Sequence, residues 1–384
     1  MKILHVITRS EWGGAQKIVY QLAVAQRNLG HTVTVMCGEQ GRLAAVLKKS
    51  GINVRSNQFL HRGIGLDDMR AGLVLWRELG QGYDVVHAHS SKAGALVRLL
   101  ARWKHLPVCF TVHGFGVSPD HPRWQRAFYH WVESRLARFT SALVFVSAAD
   151  LEEGRTQGWF RHGPGVVRVV PNGVSVEPQR EKDQAEIEKL RESLGIPPDA
   201  YVIGNLARVA WIKNPEFWLK VALNFLECWG GNVETFFVWF GGGDQSQLRQ
   251  LNTAFPGRIL FAGETKDIEK ALGCIDVLFL SSRSEGMPLA VLESMSHKIP
   301  IVAPALPGLV KMFDGDPCAF LYKIGDARQA EAALHRLSEN ELRHRMGEGC
   351  YAKCLREYSL MNMIDAYELI YREIRADNGV RALA

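Results

Sequence analysis

Glu285 and Glu293, separated by seven residues, lie in a stretch whose residue types suit phosphate and sugar binding. The apolar residues 277–280 predict a buried parallel strand, and Pro288 suits the first position of a following helix. The loop between them would present backbone N–H groups and a positive helix end at the edge of a sheet, where phosphates bind. Because carboxylates accept hydrogen bonds from sugar hydroxyls, the pair indicates a nucleotide-sugar site. Two solvated glutamates are the alternative, which the spacing alone favours.

Residues 284–303 resemble the signature of the retaining glycosyltransferases of family 4, which have the GT-B fold. The matching positions are Ser284, Glu285, Gly286, Pro288, Glu293, Met295, Pro300 and Ala303. The resemblance implies that Glu293 holds the ribose of the donor and that Glu285 holds the hydroxyls of the donor sugar. The remaining donor-binding positions of this loop are Gly286, Met287, Pro288 and Leu289, of which the first two would offer N–H groups to the diphosphate.

Arg208 and Lys213 match a second pattern of the same family, in which an arginine and, five residues on, a lysine contact the donor diphosphate. Ala207 stands where the family has glycine. Two cations can neutralise a leaving diphosphate, so we expect that no metal ion and no cofactor are required. We find no convincing enzymic nucleophile. A same-face displacement, with the leaving phosphate as base, is therefore the expected mechanism.

Further donor-binding candidates lie in glycine-rich loops or at predicted strand ends: Gly13, Gly14, Gly241, Gly263 and Glu264. Gly13-Gly14 alone is a weak signal, because paired glycines are more often a simple turn. His113 follows a β-rich run, where the family has a His-Gly beside the donor sugar and phosphate. It is therefore a catalytic candidate that orients the substrate or donates a hydrogen bond, with a structural role as the alternative.

Alternating strand and helix patterns predict an α/β protein of the GT-B type, with two Rossmann-like, doubly wound parallel-sheet domains facing a central cleft. Residues 1–178 form the predicted acceptor-side domain, and residues 179–358 form the nucleotide-sugar domain. The polar residues 176–200 are interpreted as a linker with a short helix. A final helix over residues 359–376 should cross back onto the first domain, with Tyr367 and Tyr371 as anchors.

The net charge of +6 is unevenly distributed, with +10 over residues 1–178 and −4 over the remainder. Residues 93–106 and 122–139 are basic and aromatic, which is typical of helices that lie in a membrane interface. The favoured alternative packs the aromatic side chains on the sheet and leaves the arginines in water. Helix-turn-helix, zinc-finger and RNP motifs are absent from the sequence, so nucleic acid is not an expected partner.

No apolar run is long enough to span a membrane, and the first strand lacks the features of a signal peptide. The scattered cysteines indicate reduced core thiols. We therefore expect a cytoplasmic protein, peripheral on the inner face of the cytoplasmic membrane if the basic helices bind it. The expected partners are a nucleotide-sugar, with UDP favoured, and a glycan or lipid-linked acceptor in cell-surface polysaccharide or glycolipid synthesis.

Two further patterns could bind metal ions but are better explained by structural roles, and a third departs from the family pattern. His87 and His89 lie on one face of a strand and could bind a metal ion, but no third ligand is apparent, and structural histidines are favoured. Asp314-Gly315-Asp316 mimics a D-x-D metal motif, although a turn fits its context better. Lys311 stands where the family has a glutamate.

Several other functions remain as alternatives to a retaining hexosyltransferase. A GT-B-fold epimerase or phosphorylase would share the cleft, but no motif for a pyridoxal-phosphate lysine is present. A non-catalytic binding or scaffold subunit would not need Glu285, Glu293, Arg208 and Lys213 intact. A nicotinamide dehydrogenase is disfavoured because Gly13-Gly14 lacks the G-x-G-x-x-G spacing.

Overall fold

A computed structural model describes residues 1–61, 63, 65–115, 121–163, 165–176, 181–228, 233–265 and 267–383. The chain divides into two compact units. Unit 1 comprises Met1–Gly173 and Met361–Ala384, and unit 2 comprises Val174–Leu360. The first boundary lies five residues before the predicted residue 178.

Unit 1 is built on seven parallel strands: β1 (Lys2–Ile7), β2 (Thr32–Cys37), β3 (Asn53–Ser56), β4 (Val85–Ala88), β5 (Val108–Val112), β6 (Ala142–Phe145) and β7 (Val166–Val169). They lie in the order β3-β2-β1-β4-β5-β6-β7. Its helices are α1 (Gly14–Asn28), α2 (Arg42–Lys49), α3 (Asp67–Leu79), α4 (Ser91–Trp103), α5 (Arg123–Ala137) and α6 (Ala148–Thr156). Helices cover both faces of a parallel sheet, so the central strands are almost continuously apolar and buried.

Unit 2 has six parallel strands: β8 (Tyr201–Leu206), β9 (Thr235–Phe240), β10 (Ile259–Gly263), β11 (Val277–Phe279), β12 (Ile301–Pro304) and β13 (Ala319–Tyr322). Their order is β10-β9-β8-β11-β12-β13. The helices are α7 (Glu181–Ser193), α8 (Pro215–Cys228), α9 (Ser246–Leu251), α10 (Ile268–Gly273), α11 (Leu289–Ser296), α12 (Pro307–Phe313), α13 (Ala327–Arg336) and α14 (Asn340–Glu357). Both units are therefore doubly wound α/β domains, as predicted.

Residues 176–200 were interpreted as a linker with a short helix. The helix is present as α7, and the described residues of this segment belong to unit 2. Ile187 of α7 and the following Ile196 are buried in the core of this unit. Arg191 donates hydrogen bonds to the carbonyls of Pro198 and Cys274, both at 2.9 Å. Only the linker part of the interpretation was wrong. Composition did not reveal that α7, which is charged elsewhere, buries a narrow apolar stripe.

The last helix, α15 (Leu360–Leu383), is attached to the sheet of unit 1 through its tyrosines. The hydroxyl of Tyr367 lies 2.9 Å from Thr111 Oγ1, and that of Tyr371 lies 2.5 Å from Nδ1 of His87. Both tyrosines are buried. Glu368 forms an ion pair at 2.9 Å with His31 if that histidine is protonated. These contacts lie in the first half of α15 and reach β4, β5 and the residue before β2.

Helices α4 and α5 differ from the favoured interpretation of residues 93–106 and 122–139. Arg98 is buried and pairs with the buried Glu133 at 2.7 Å, which joins the two helices. Four of their aromatic side chains are instead exposed: Trp103 by 70%, Trp124 by 69%, Phe128 by 59% and Trp131 by 56%. The expectation that the aromatics pack on the sheet and the arginines face water was therefore wrong for Arg98 and these four aromatic residues. It was right for the exposed arginines, which are Arg102, Arg123, Arg135 and Arg138. None of the described helices combines the length and apolar character that a membrane crossing requires.

Candidate functional site

In unit 2, the strand order reverses between the neighbouring strands β8 and β11, and several predicted site residues follow these strands. In a doubly wound sheet, ligands bind outside the carboxyl ends of the strands at such a switch point. The loop after β8 carries Arg208 and Lys213, and the loop after β11 carries Glu285. Hydrogen bonds hold the loops together. Among them, Ser281 Oγ donates to the carbonyl of Lys213 at 2.7 Å, and Arg283 N–H donates to that of Ile212 at 2.8 Å.

The side chains of Lys213 and Glu285 are in direct contact. Nζ of Lys213 donates to Oε1 of Glu285, and Ser282 Oγ donates to the same oxygen at 2.6 Å. The sequence analysis predicted separate roles for the two charged residues and no role for Ser282. The pair holds the carboxylate in place and keeps a cation beside it. Neither contact uses Oε2, so this oxygen can still accept a hydrogen bond from a sugar hydroxyl.

Arg208 lies in the loop after β8, just beyond the strand end, and its side chain is exposed. Across the ranges that the structure covers, it has no ion-pair partner, in contrast to Lys213. A short 3-10 turn (Trp211–Lys213) follows it and ends at Asn214, whose φ of 51° is left-handed. Arg208 therefore presents a guanidinium, suited to bidentate contact with phosphate, at the edge of the switch point.

The glycines after β9 and β10 allow a close approach of neighbouring loops. A Cβ on Gly241, whose φ is +150°, would lie 1.9 Å from the carbonyl oxygen of Ala207. The N–H of Gly241 donates to the carbonyl of Gly263 at 2.7 Å, and Val209 N–H donates to that of Gly242 at 2.8 Å. The predicted residues Gly241 and Gly263 thus bring three strand ends into backbone contact. Glu264 follows Gly263 and is exposed.

Helix α11 starts one residue later than predicted, so Pro288 is its N-cap rather than its first helical residue. The loop residues Gly286 and Met287 precede it, and Leu289 is the first residue of the helix. Glu293 lies in the second turn and is only 7% exposed. A buried carboxylate is costly unless it is hydrogen-bonded, so Glu293 is held by its surroundings rather than solvated.

Lys311 stands where the family has a glutamate, but the backbone around it remains closely packed against the donor loop. Helix α12 begins at Pro307, and a Cβ on Gly308 would lie 2.6 Å from the carbonyl oxygen of Gly286. Gly308, the retained family glycine, therefore lets α12 pack directly on the donor loop. Lys311 itself is exposed. Asp314-Gly315 is a turn with Gly315 at φ +73°, and Asp316 pairs with Lys353 at 2.8 Å.

In unit 1, the corresponding switch point lies between β1 and β4. The loops after these strands are joined by Thr8 and Ser90, whose hydroxyl oxygens are 2.5 Å apart. Gly13 is the N-cap of α1 and has extended backbone, and Gly14 is the first residue of the helix. The helix therefore begins at the switch point with its positive end, as the Gly-Gly interpretation requires.

A cluster of histidines lies beside this point, and the sequence identified only part of it. His5 of β1, His87 of β4 and His89 just after β4 each have a ring nitrogen within 4.8 Å of the others, and all are buried. The statement that no third ligand is apparent beside His87 and His89 was wrong, because His5 is a third candidate. His5 was missed because strand pairing, not sequence spacing, places it opposite His87.

Hydrogen bonds already engage the nitrogens of this cluster. His87 contacts the hydroxyls of Tyr371 and Thr111, at 2.5 and 2.7 Å. His5 Nδ1 lies 2.9 Å from His89 Nε2, and His89 Nδ1 lies 3.1 Å from Nε2 of the predicted catalytic residue His113. The arrangement favours a hydrogen-bonded network over a metal centre, because a metal ion would have to displace these partners.

Comparison with known proteins finds a matching family model for each of the two units. The family model described as Glycosyltransferase Family 4 matches residues 12–178, and the model described as Glycosyl transferases group 1 matches residues 186–353. The chain is 30% identical over 387 residues to the UDP-Gal:alpha-D-GlcNAc-diphosphoundecaprenol alpha-1,3-galactosyltransferase of Escherichia coli. That alignment covers 97% of this chain and 96% of the relative.

Two solved structures show the same fold. Anabaena HepE, crystallised with UDP and glucose, has a TM-score of 0.81 and 19% identity, with 97% of this chain and 100% of that chain covered. WaaG, a glycosyltransferase involved in lipopolysaccharide biosynthesis, has a TM-score of 0.71 and 13% identity, with 96% and 99% covered. The two doubly wound sheets and the family matches define a glycosyltransferase with the GT-B fold. The chain belongs to glycosyltransferase family 4, and the predicted family and fold are confirmed.

Proposed function

We propose that this glycosyltransferase moves a hexose or N-acetylhexosamine from a UDP-sugar to a glycan or lipid-linked acceptor, with retention of anomeric configuration, in cell-surface polysaccharide or glycolipid synthesis. The observation that carries the proposal is that Arg208, Lys213 and Glu285 lie on the loops after the neighbouring strands β8 and β11, with Lys213 and Glu285 in contact. Cations there suit a diphosphate, and a fixed carboxylate suits sugar hydroxyls. The E. coli relative, which uses UDP-Gal and a diphosphoundecaprenol acceptor, supports this donor and acceptor class.

Within unit 2, each residue has a role in this proposal. Arg208 and Lys213 stabilise the charge that develops on the leaving diphosphate, a contribution that preorganised groups make effectively. Glu285 orients the donor sugar, and Glu293 binds the ribose. Since two cations already face the diphosphate, the reaction needs neither a metal ion nor another cofactor. The leaving phosphate acts as the base in a same-face displacement.

Nucleotide binding can be tested by thermal shift with UDP, GDP and ADP. A ligand at about 100 times its Kd stabilises the folded state by about 2.7 kcal/mol. We expect UDP to raise the melting temperature of the wild type and to have a weaker effect on Glu293→Ala. The matched control is Glu269→Ala, on an exposed position of α10, which should respond like the wild type. Equal shifts in Glu293→Ala and the control would contradict the ribose role.

Transfer itself is tested by incubating the protein with labelled UDP-sugars and an N-acetylglucosamine diphospholipid. The product should carry the anomeric configuration of the donor, as read by NMR, and its yield should not change when EDTA is added. Inversion would contradict the mechanism, and loss of product with EDTA would contradict metal independence. A protein that binds UDP but transfers no sugar to any acceptor would favour the scaffold alternative.

The aromatic surface of α4 and α5 favours contact with an anionic membrane, where a lipid-linked acceptor resides. Trp103, Trp124, Phe128 and Trp131 are exposed. The one acidic residue of these two helices, Glu133, is buried against Arg98, so their outward charges are all basic. An exposed aromatic face with basic flanks binds the headgroup region of anionic bilayers.

Vesicle co-sedimentation tests this contact. The wild type should bind vesicles that contain phosphatidylglycerol and should bind phosphatidylcholine vesicles weakly. The double variant Trp124→Ser/Trp131→Ser should lose most of the binding, whereas Trp211→Ser, which replaces an exposed tryptophan of unit 2, should retain it. Undiminished binding by the double variant would exclude this surface.

A further inference from the structure

A chain of hydrogen bonds runs from α1 across three neighbouring strands to His113. Gln26 Oε1 lies 2.7 Å from His5 Nε2, His5 Nδ1 lies 2.9 Å from His89 Nε2, and His89 Nδ1 lies 3.1 Å from His113 Nε2. The ring planes of successive histidines are inclined by only 24° and 22°. Below, these four residues are called the histidine relay. His87 lies beside the relay and bonds to Thr111 and Tyr371 instead.

The histidines of the relay are neutral at neutral pH. Burial lowers the pKa of His5 to about 4 and that of His113 to about 4. Burial also lowers the pKa of His89 well below its ordinary value, and the neighbouring histidines add to this effect. A neutral imidazole has one N–H donor and one acceptor nitrogen. Each ring in the relay can therefore donate at one end only.

The structure places Oε1 of the Gln26 amide toward His5, and with this orientation the direction of every bond follows. An amide oxygen only accepts, so His5 carries its proton on Nε2 and leaves Nδ1 as an acceptor. His89 must then donate from Nε2 to His5, which leaves its own Nδ1 to accept from His113. His113 consequently carries its proton on Nε2, and its Nδ1 is an unprotonated acceptor. Among the described residues, this Nδ1 atom has no hydrogen-bond partner.

We propose that Gln26, His5 and His89 are positioning residues that fix the proton of His113 on Nε2 and keep Nδ1 as an acceptor for a hydroxyl group of the sugar substrate. The inference rests on the proposed transferase function. It replaces the expectation that His113 donates a hydrogen bond. An unprotonated Nδ1 cannot donate a hydrogen bond to a phosphate oxygen. It can only accept one, so it favours a donor such as a hydroxyl group. A buried acceptor without a partner is unfavourable, so a hydroxyl there is stabilising.

The sequence gives one signal for the start of the relay. Ile18, Leu22 and Gln26 follow each other at four-residue spacing on the buried face of α1. A glutamine that continues an apolar stripe is unusual, because burial of an amide is costly unless it is hydrogen-bonded. Gln26 is fully buried, with an exposed fraction of 0%.

The tautomer can be measured directly in the ligand-free protein labelled with ¹⁵N-histidine. The two ring nitrogens have different ¹⁵N shifts when protonated and unprotonated, and His113→Asn assigns the signals of His113. We expect the Nε2–H form in the wild type at pH 7. An Nδ1–H form, a charged ring, or a spectrum altered by added Zn²⁺ would overturn the proposal.

Three variants separate the relay from general stability. Gln26→Leu removes the acceptor and should give a mixture of His113 tautomers, with kcat/KM reduced roughly three- to tenfold, on the scale of one hydrogen bond. Gln26→Glu keeps an acceptor oxygen and should restore the Nε2–H form. Thr111→Val removes buried hydrogen bonds beside the relay, to His87 and Tyr367, and should leave the tautomer of His113 unchanged.

Different results would contradict the histidine relay and the proposed transferase function. An unchanged His113 spectrum in Gln26→Leu overturns the relay even if the protein transfers sugar normally. The expected spectra in a protein that transfers no sugar support the relay as a tautomer-fixing device and contradict the proposed function. Equal loss of kcat/KM in Gln26→Leu and Thr111→Val, with no difference in tautomer, would show that both residues act through stability alone.

Discussion

Lys213 donates a hydrogen bond to Oε1 of Glu285 across 72 residues of sequence, and Ser282 donates to the same oxygen at 2.6 Å. The two side chains are 26% and 11% exposed, so water screens this pair less than an ion pair on the open surface. The cation therefore has two tasks in the proposed reaction. It neutralises the carboxylate that orients the sugar, and it faces the diphosphate that leaves.

Replacement of Lys213 by methionine should reduce kcat/KM by about 10²–10³, the usual effect of removing one electrostatic group from a charge-stabilising site. The measurement is initial-rate kinetics with the UDP-sugar identified by transfer assays. Lys220→Met, an exposed lysine on α8, is the matched control and should retain wild-type kinetics. Equal rates for Lys213→Met and Lys220→Met would remove Lys213 from the mechanism.

A methyl group at Gly241 should destabilise unit 2. Alanine there would adopt a φ of +150°, and its Cβ would lie 1.9 Å from the carbonyl oxygen of Ala207. Backbone strain of this kind costs about 1–3 kcal/mol. Urea denaturation of Gly241→Ala should show a loss of at least this size. Gly257→Ala, where a Cβ meets nothing within 4 Å, should lie within about 0.5 kcal/mol of the wild type.

The sequence predicted the two parallel sheets and the loops that carry Arg208 and Glu285, because strand periods and turn residues are local signals. It did not predict the contact between Lys213 and Glu285, since side-chain pairing depends on which strands become neighbours. His5 was missed for the same reason. The linker part of the interpretation of residues 176–200 was wrong because it relied on composition. The packing is decided by single buried residues, Ile187 of α7 and Ile196 after it.

The orientation of α4 and α5 could not be predicted from composition either. Both helices contain arginines and aromatic residues, and helical periodicity does not show which side chain of a mixed face is buried. The structure buries Arg98 against Glu133 and over the ring of Phe110, with the guanidinium carbon 4.1 Å from the ring centroid. Arg98 is thus buried, whereas Trp103, Trp124 and Trp131 are exposed.

The buried pair of Arg98 and Glu133 should be sensitive to loss of either partner. Arg98→Met leaves Glu133 buried and unpaired, which costs about 3–5 kcal/mol in comparable sites. The double variant Arg98→Met/Glu133→Leu should recover much of the stability. Arg168→Met, which removes an exposed pair with Glu373, should cost no more than about 1 kcal/mol. All four proteins can be compared by chemical denaturation, and a small loss in Arg98→Met alone would contradict a buried, paired charge.

The buried histidines should make the folded state less stable as the pH falls. Burial lowers the pKa of His5 from 6.5 to about 4, so between these values the unfolded chain binds a proton at this residue and the native state does not. Each such histidine then adds up to about 1.4 kcal/mol per pH unit to the slope of stability against pH. The stability that the neutral, buried His5 contributes is fully present above pH 6.5 and is lost as the pH falls toward 4.

Denaturation curves at several values between pH 5 and 7 measure this slope. His5→Gln removes one titrating group and should flatten the slope by up to about 1.4 kcal/mol per pH unit. His344→Gln replaces a histidine whose side chain is 76% exposed and should leave the slope unchanged. If His5→Gln and the wild type lose stability in parallel as the pH falls, His5 is not a neutral buried residue. The tautomer assignment that begins at Gln26 would then fail with it.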